Sequence, residues 1–355
     1  MENNVTSIND ILTGENSGNF QKARQPRRFI FPDDHADHPG FRTEWWYFTG
    51  NLKTADEREF GYQFTVFRTA IADTSDYENT GSKWSSNQIY MAHAALTDIG
   101  KQEYYNDEQF SRAALSLAGT AREPFRVWLH QWSAVSAADS CEGCFNIELS
   151  VPARSFNIKL RLNNTQPPFL HGDNGLSAKS PEAGNASYYY SYTRLKTDGI
   201  LYIDNESFNV SGDSWFDHEW STSVLGDDQA GWDWFSLQLS DQTEIMLFRL
   251  RHRLDPSRDY YYGSLIHEDN RLEVLAAGAF RINSTGKWQS PVTGVAYPSG
   301  WIIQLPDREL IVSPKLKNQE FNNSFRYWEG AVDVKGTAKN SKIYGQGYVE
   351  LTGYM

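Results

Sequence analysis

Short runs of aromatic and β-branched residues follow one another along the chain from Phe29 onward. Glycine, asparagine, aspartate and proline separate these runs, a composition typical of strands joined by turns. Helical periodicity is weak and occurs only near residues 110–117. The pattern therefore predicts an all-β protein.

Residues 44–49 and 60–68 predict a hairpin, and further strands are expected at residues 89–96, 126–132, 145–149 and 156–162. The sequence also contains a weak internal similarity, called here the internal echo. A Trp-rich acidic strand, followed by a partner ending in Phe-Arg, occurs near residues 44–68 and again near residues 215–249. Sequential antiparallel strands with short turns fit closed or nearly closed barrels, which can hold one small ligand.

The spacing of the strands restarts after a polar, glycine-containing stretch at residues 172–187. We therefore predict a polar arm at residues 1–27, followed by two β domains of similar build at residues 28–196 and 197–355. A chain of 355 residues is long enough for two hydrophobic cores.

Composition narrows the choice of partners. A hydrophobic content of 39% and a mean hydropathy of −0.60 indicate a globular chain without an integral membrane span. The net charge of −12 argues against nucleic acid and weakly against anionic membranes, although transient membrane contact to collect a substrate stays compatible. Oligomeric state is left open. Residues 1–18 lack the apolar core of a signal peptide, which indicates a cytoplasmic protein unless a leader was removed, in which case it is periplasmic or secreted.

Candidate metal ligands are sparse. Cys141 and Cys144 form a single C-E-G-C, whereas a structural zinc site needs four ligands. We expect a hairpin turn there, and the pattern does not decide whether the two cysteines form a disulfide. His35 and His38 lie in a loop and are weak evidence for a metal. The chain also lacks phosphate- and dinucleotide-binding glycine motifs and a serine-hydrolase elbow, so we predict neither a metal nor a cofactor.

The most informative stretches are residues 215–220 and 231–239, where tryptophans alternate with acids and a histidine. Side chains alternate between the two faces of a strand, so His218 and Trp220 share one face while Asp217 lies on the other. A carboxylate from a partner strand can tune a histidine for proton transfer near neutral pH, and a tryptophan face can stabilise a developing carbocation. This combination suits hydration, isomerisation or cyclisation of an alkene.

A structural interpretation competes with the chemical one. Buried acids and histidines in β proteins often only hold loops and indole N–H groups in place, and this applies to Glu44 as well. His93, within an apolar strand, is more typical of a satisfied core histidine, and the tyrosines of residues 188–192 are more typical of packing.

Several motifs resemble the AttH-like, or hydroxyneurosporene synthase, family. They are RTEWWYFTG at 42–50, ASYYYS at 186–191, DHEW at 217–220, GWDW at 231–234, YWEGAV at 327–332 and GYVELTGY at 347–354. The resemblance runs from Phe29 to Tyr354. It implies two lipocalin-like antiparallel β-barrel or sandwich domains packed together, with a ligand pocket at or between them.

The family includes carotenoid 1,2-hydratases, which add water across a terminal isoprenoid double bond without a redox cofactor. It also resembles fungal lipocalin-like cyclases that fold polyenes in Diels–Alder reactions. In the hydratases, the histidine and tryptophan of the DHEW-like motif are implicated, and they correspond to His218 and Trp220. The hydratases also use a further tyrosine, which the motifs do not place in this sequence, and a further aspartate, for which our candidate is Asp233.

We therefore predict a cofactor-independent enzyme that hydrates or cyclises a hydrophobic isoprenoid or polyene. The expected catalytic residues are His218, assisted by Asp217 or Asp233, and Trp220. The expected substrate-binding residues are Glu44, Trp46, Glu219, Trp232, Trp234, Gln238, His93 and Tyr190. Two alternatives stay open, a lipocalin-like carrier of an apolar ligand that does no chemistry and a scaffold protein whose barrels are filled.

Overall fold

A computed structural model describes residues 19–71, 86–137, 145–223, 225–226 and 228–355. It confirms the all-β prediction, because in these ranges the helical elements are two 3₁₀ turns, Asp33–His35 and Pro256–Arg258. None of the helices described there is long and apolar enough to cross a membrane. Cys141 and Cys144, and the first 18 residues of the predicted arm, lie outside the described residues.

The chain divides into two compact units, residues 19–96 with 105–223 and residues 97–104 with 225–355. A 13-stranded antiparallel sheet begins the fold. Its strands are β1 (Thr43–Lys53), β2 (Glu59–Ala70), β3 (Gln88–Asp98), β4 (Glu103–Arg112), β5 (Ala118–Arg122), β6 (Phe125–Leu129), β7 (Trp132–Ser136), β8 (Ile147–Pro152), β9 (Phe156–Asn164), β10 (Phe169–Leu170), β11 (Leu176–Ala178), β12 (Ala186–Ile203) and β13 (Glu206–Ser221).

This first sheet is a nearly closed barrel. Its order is β4-β3-β2-β1-β13-β12-β9-β8-β7-β6-β5, so β1 lies between its predicted hairpin partner β2 and the distant strand β13. Alternate residues of each strand face one buried apolar core, which includes Trp46, Phe64, Tyr190 and Trp220. Pairing β1 with β13 gives both strands a neighbour on each side and removes two sheet edges.

The second sheet has ten strands, and a separate two-stranded ribbon accompanies it. The strands are β14 (Gln229–Leu239), β15 (Glu244–His252), β16 (Tyr260–Ile266), β17 (Leu272–Leu275), β18 (Arg281–Ser284), β19 (Lys287–Gln289), β20 (Ala296–Pro298), β21 (Trp301–Leu305), β22 (Arg308–Pro314), β23 (Glu320–Asn322), β24 (Arg326–Ala338) and β25 (Ser341–Leu351). Strands β19 and β20 form the ribbon.

The two sheets share one strand order. In the second, β17-β16-β15-β14-β25-β24-β22-β21-β18 repeats the arrangement of β4-β3-β2-β1-β13-β12-β9-β8-β7 in the first. Glu44 on β1 faces Arg68 on β2, and Asp233 on β14 faces Arg249 on β15. The part of the internal echo at residues 232–249 therefore corresponds to a repeated cross-strand pair of a carboxylate and an arginine, whereas residues 215–220 belong to β13 of the first sheet.

The division between the units differs in position from the one predicted at residue 196. That residue lies inside β12, an 18-residue strand that pairs with both β9 and β13. The chain passes from the first sheet to the second between Ser221 and Gln229. The polar stretch at residues 172–187 instead surrounds the short strand β11, which pairs with β12.

Turns with left-handed backbone conformation account for two further differences between the predicted and the observed secondary structure. Residues 110–117 do not form a helix, because β4 continues to Arg112 and a turn follows in which Leu115 and Ser116 have φ values of 53° and 58°. Likewise, the single strand expected at residues 126–132 is divided into β6 and β7 by a turn at His130, whose φ is 53°.

Candidate active site

The segment that precedes β1 contributes three polar side chains to the first unit. The 3₁₀ turn Asp33–His35 and the loop after it carry Asp34, His35 and His38. Asp34 fixes the start of the turn, since its Oδ2 accepts a hydrogen bond of 2.6 Å from the backbone N–H of Ile30. The His35 ring contacts the core ring of Phe145, with ring centroids 4.5 Å apart.

Glu44 is the centre of the polar network. Its carboxylate is fully buried and accepts from Arg68 Nε at 2.9 Å, His38 Nδ1 at 2.7 Å and His218 Nε2 at 2.8 Å. The backbone N–H of His38 also donates to it at 2.9 Å. Two histidine side chains, which can be charged or neutral, therefore share this carboxylate with the permanently charged Arg68.

His218 projects from β13 onto the same face as Glu44. In the register β1–β13, Glu44 faces Trp220 and Trp46 faces His218, so all of these even-numbered positions point into the barrel. On its other side, His218 Nδ1 lies 3.1 Å from the carbonyl oxygen of Asp34 and 3.2 Å from the Tyr190 hydroxyl. Both ring nitrogens of this fully buried side chain therefore have partners within the protein.

His38 lies between two carboxylates and against an indole. Its Nδ1 contacts Glu44, its Nε2 lies 3.0 Å from Asp34 Oδ1, and its ring stacks on Trp220 at 3.7 Å with an interplanar angle of 2°. Arg27 donates to the same Asp34 oxygen at 2.8 Å. A positive imidazolium on an aromatic face gains a cation–π contribution, so Trp220 serves as a platform for His38.

Opposing charges set the ionisation of this network. Burial disfavours the ionised form of Glu44, but the charges of His38 and Arg68 and the hydrogen bond from His218 hold its pKa well below the usual value. Burial likewise opposes ionisation of Asp34, whose pKa the hydrogen bond from His38 nevertheless lowers. Burial acts against a charged His38, but Glu44 and Asp34 raise its pKa. His38 is therefore the charged histidine of the site.

The inner end of the network is neutral. Burial lowers the pKa of His218, an effect that the bond to Glu44 partly offsets. Burial, and then the proximity of His218, lower the pKa of His35 to about 3. Burial also raises the pKa of Tyr190 well above its usual value. Hydrogen bonds join these groups in the order Asp34, His38, Glu44, His218, Tyr190 and His35.

The same groups are the best candidate for a metal centre among the described residues. Ligand atoms of His38, Glu44 and His218 lie within 4.8 Å of one another. However, their separations of 2.7–2.8 Å are those of hydrogen bonds, and Arg68 already balances the carboxylate. The arrangement fits a proton-transfer network better than a metal site.

Asp217 and Glu219 point away from His218, to the opposite face of β13. Asp217 accepts from Ser191, from Tyr189 at 2.9 Å and from Trp215 Nε1 at 2.6 Å, and burial raises its pKa to about 7. Glu219 accepts from Ser187 and pairs with Lys179 at 2.5 Å. The structure does not bring either acid to His218.

His93 also faces away from the barrel interior. It alternates along β3 with the core residues Ala92 and Ala94. Its ring packs 5.3 Å from that of Phe67, and burial lowers its pKa to about 3. This environment is that of a neutral core histidine.

Four predicted site residues belong to β14 in the second unit. Asp233 is on the core face and contacts Arg251 Nε at 3.1 Å, the Tyr354 hydroxyl at 2.8 Å and Arg249 at 3.8 Å. Trp232, Trp234 and Gln238 lie on the other face, where Trp232 Nε1 donates to Glu350 at 3.0 Å. Because β13 and β14 belong to different sheets, the carboxylate beside His218 comes from β1 instead of β14.

Of the residues expected from the sequence, the barrel interior brings together His218, Trp220, Glu44, Trp46 and Tyr190. Sequence reasoning missed the roles of Asp34, His35, His38 and Arg68. The signal for Arg68 is an arginine at the end of an apolar strand, opposite a buried glutamate in the predicted hairpin. The histidines lie in an irregular loop, whose path the strand pattern does not define.

Comparison with known proteins places the chain in a family. The family model described as AttH-like matches residues 22–354. The chain belongs to the AttH-like family. A putative AttH from Nitrosomonas europaea is 32% identical, with 95% of this chain and 100% of that chain covered and a TM-score of 0.82.

More distant structures share the fold. Kievitone hydratase from Nectria haematococca is 13% identical, with a TM-score of 0.69 over 95% of this chain and 97% of that one. CghA is also 13% identical, with a TM-score of 0.54 over the same shares of the two chains. No curated protein matches the sequence.

Proposed function

We propose that this AttH-like protein is an enzyme that adds water across a carbon–carbon double bond of an apolar substrate of isoprenoid or polyene type. One observation carries the proposal: in the aromatic interior of the first barrel, His218 is hydrogen-bonded to Glu44 through one nitrogen and reaches the Tyr190 hydroxyl through the other. The chemistry needs no redox cofactor. A neighbour of the same fold is named a hydratase, which agrees with this reaction class.

The roles follow from the geometry. The charged His38 holds the transferable proton, and Glu44 and His218 relay it, because a histidine coupled to a carboxylate exchanges protons near neutral pH. Arg68 and His38 keep Glu44 ionised, which is the state that holds His218 in place. Rings such as Trp46, stacked on His218 at 4.9 Å, offer π faces to a developing cation.

The test is turnover of defined probes. Purified protein is incubated with geranylgeraniol, squalene and lycopene, separately, in water enriched in ¹⁸O, and the products are analysed by mass spectrometry. We expect a hydrated product carrying ¹⁸O from at least one probe, and a rate about 10²–10⁴-fold lower for His218→Ala. A product of unchanged mass with altered retention would instead identify a cyclase.

His171→Ala is the matched control, because His171 is also fully buried but lies on the other face of the sheet, next to Ser191. The His171→Ala variant should retain activity, although its loss of folding stability should be similar to that of His218→Ala. Equal rates for His218→Ala and the unmodified protein would contradict the proposal. Tight binding of a probe without any product would favour the lipocalin-like carrier.

A further inference from the structure

Charge is distributed unevenly along the chain, and positive charge is concentrated where the described residues begin. The whole sequence has a net charge of −12, yet residues 19–31 contain no acid and four cations, Lys22, Arg24, Arg27 and Arg28. Residues 22–31 are called the basic segment below. A local cluster of cations creates a positive surface potential that the net charge of a chain conceals.

Side chains of the first barrel hold the basic segment in place. The Tyr188 hydroxyl donates to the carbonyl oxygen of Gln25 at 2.9 Å. The ring of Phe29 packs against that of Trp220, with centroids 5.5 Å apart. Phe29 also lies beside Gly175, where a Cβ atom would clash with its ring. The basic segment is therefore a fixed part of the barrel surface.

One cation of the segment, Arg27, faces the barrel. Its guanidinium donates to both carboxylate oxygens of Asp34, at 2.8 and 3.0 Å, and lies 5.8 Å from the ring of Trp220. Asp34 and Trp220 both contact His38. The basic segment therefore lies at the end of the barrel where the polar network of the candidate site begins.

Exposed and half-buried side chains alternate along the last residues of the segment and just beyond it. Arg28 is exposed and Ile30 is 51% exposed, whereas Phe29 and Phe31 are half-buried against the core. Successive side chains of an extended chain point in opposite directions. The outer surface of the segment therefore presents an apolar side chain next to a cation.

Three cations of the segment are exposed and have no acidic partner within the described part of the chain; they are called the outer cations, Lys22, Arg24 and Arg28. The acids that follow the segment are mostly engaged elsewhere. Asp34 is bonded to Arg27, and Asp37 accepts from Thr120 at 2.7 Å, whereas Asp33 is exposed. The positive charge of the outer cations is therefore available to a partner outside the chain.

An anionic membrane surface fits this combination of groups. Guanidinium groups pair with the phosphates of lipid headgroups, and an apolar side chain beside them can enter the boundary with the acyl chains. Double-stranded nucleic acid would also attract the cations, but it has no acyl layer to receive Ile30. The chemistry of the surface therefore favours a membrane.

We propose that the basic segment is a docking surface for anionic membranes, with the outer cations at the headgroups and Ile30 at the acyl boundary. Docking goes beyond the proposed function and does not depend on it. It places the end of the barrel that carries Asp34 and His38 against a layer in which apolar molecules dissolve. Binding is weak and reversible, because each lysine or arginine near an anionic surface strengthens it only about fivefold.

The test is sedimentation of the full chain with lipid vesicles at low ionic strength. One preparation contains phosphatidylcholine alone, and the other contains equal parts of phosphatidylcholine and phosphatidylglycerol. We expect binding to the second preparation only, and release as salt is added, because salt screens the attraction. Failure to sediment with the anionic vesicles would overturn the proposal, as would equal binding to both preparations.

A charge variant locates the docking surface. Lys22→Gln/Arg24→Gln/Arg28→Gln should weaken binding to the anionic vesicles about 10²-fold, the product of three fivefold effects. The matched control changes the net charge equally at three exposed lysines of the second unit, with Lys287→Gln, Lys335→Gln and Lys342→Gln. It should bind nearly as well as the unmodified protein. Equal losses in the two triple variants would contradict docking through the basic segment.

Ile30→Ser tests the apolar contact, with Leu254→Ser as its control, since Leu254 is 91% exposed in the second unit. We expect several-fold weaker binding for Ile30→Ser and no change for Leu254→Ser, because burial of an apolar side chain is favourable. Unchanged binding of Ile30→Ser, or tighter binding of the chain to duplex DNA than to anionic vesicles, would overturn the assignment to membranes. None of these measurements uses a substrate, so their failure would leave the proposed function intact.

Discussion

The two sheets have the same strand order and the same cross-strand pair of carboxylate and arginine, but they surround this pair differently. In the first, Glu44 and Arg68 are joined by His218 and His38. In the second, Val349 pairs with Phe235 at the position where His218 pairs with Trp46. Gly330 pairs with Val349 where Tyr190 pairs with His218.

The difference between the two sheets distinguishes residues with a structural role from residues with a proposed chemical role. Asp233 is bonded to Arg251 and Tyr354, which cannot exchange protons near neutral pH, so the pair in the second sheet has a structural role. A buried carboxylate and arginine in this family therefore do not by themselves indicate catalysis. The proposed function rests on the histidines and the tyrosine that the first sheet has in addition.

Exchanging the differing residues should give the largest effect. His218→Val should lower turnover about 10²–10⁴-fold, because it removes the proton carrier. Val349→His should leave turnover nearly unchanged and should destabilise the protein by about 1–3 kcal/mol, because it forces a larger polar ring into a packed apolar core. Turnover assays and urea unfolding measure both effects. Retained turnover in His218→Val would remove the distinction between the sheets.

Removing the arginines should distinguish the pairs by stability. Arg68→Met leaves a fully buried Glu44 without its permanent cation, and we expect a loss of about 3–5 kcal/mol. Arg249→Met should cost clearly less, since Arg249 is 26% exposed and Asp233 keeps Arg251. Urea unfolding at pH 7 gives both values. Equal losses would show that the two pairs have the same energetic role.

Acid should weaken the first unit preferentially. Burial lowers the pKa of His35, His93 and His171, all in this unit, to about 3. Their folded-state pKa values lie below the unfolded value near 6.5, so the stability they contribute is present above that pH and is lost as pH falls towards 3. Hydrogen exchange at pH 7 and pH 5, corrected for intrinsic rates, should show greater loss of protection in β1 and β13 than in β14 and β25. A uniform loss would contradict this.

The smallest effect concerns the acids outside the network. Burial raises the pKa of Asp217 to about 7, so the stability of its protonated form is complete below about pH 4 and is lost as pH rises through 7. The melting temperature of Asp217→Asn, relative to the unmodified protein, should therefore rise between pH 5 and pH 8. Asp233→Asn should be destabilised throughout, because it leaves Arg251 with a weaker partner. A flat difference for Asp217→Asn would show that this carboxyl does not titrate between pH 5 and pH 8.

Local pattern was enough to predict the strands, the β1–β2 hairpin and the shared face of His218 and Trp220, because each depends on residues close together in sequence. The pairing of β1 with β13 could not be predicted from the local pattern, since register between distant strands depends on tertiary packing. That pairing is what brings Glu44 to His218. The loop carrying Asp34, His35 and His38 has no periodicity, so its path is fixed only by contacts with the finished barrel.

Barrel closure by β13 also has a consequence for synthesis. Glu44 and His218 are 174 residues apart, so a chain growing from its N-terminus makes β1 and β2 long before the strand that completes the network exists. Contacts this distant in sequence form slowly, because a long loop must be ordered first. Until then the newly made hairpin presents an open edge, which another chain or a chaperone can occupy. Formation of the first barrel therefore depends on a strand that is synthesised late, and truncation before residue 218 removes His218 from the candidate site.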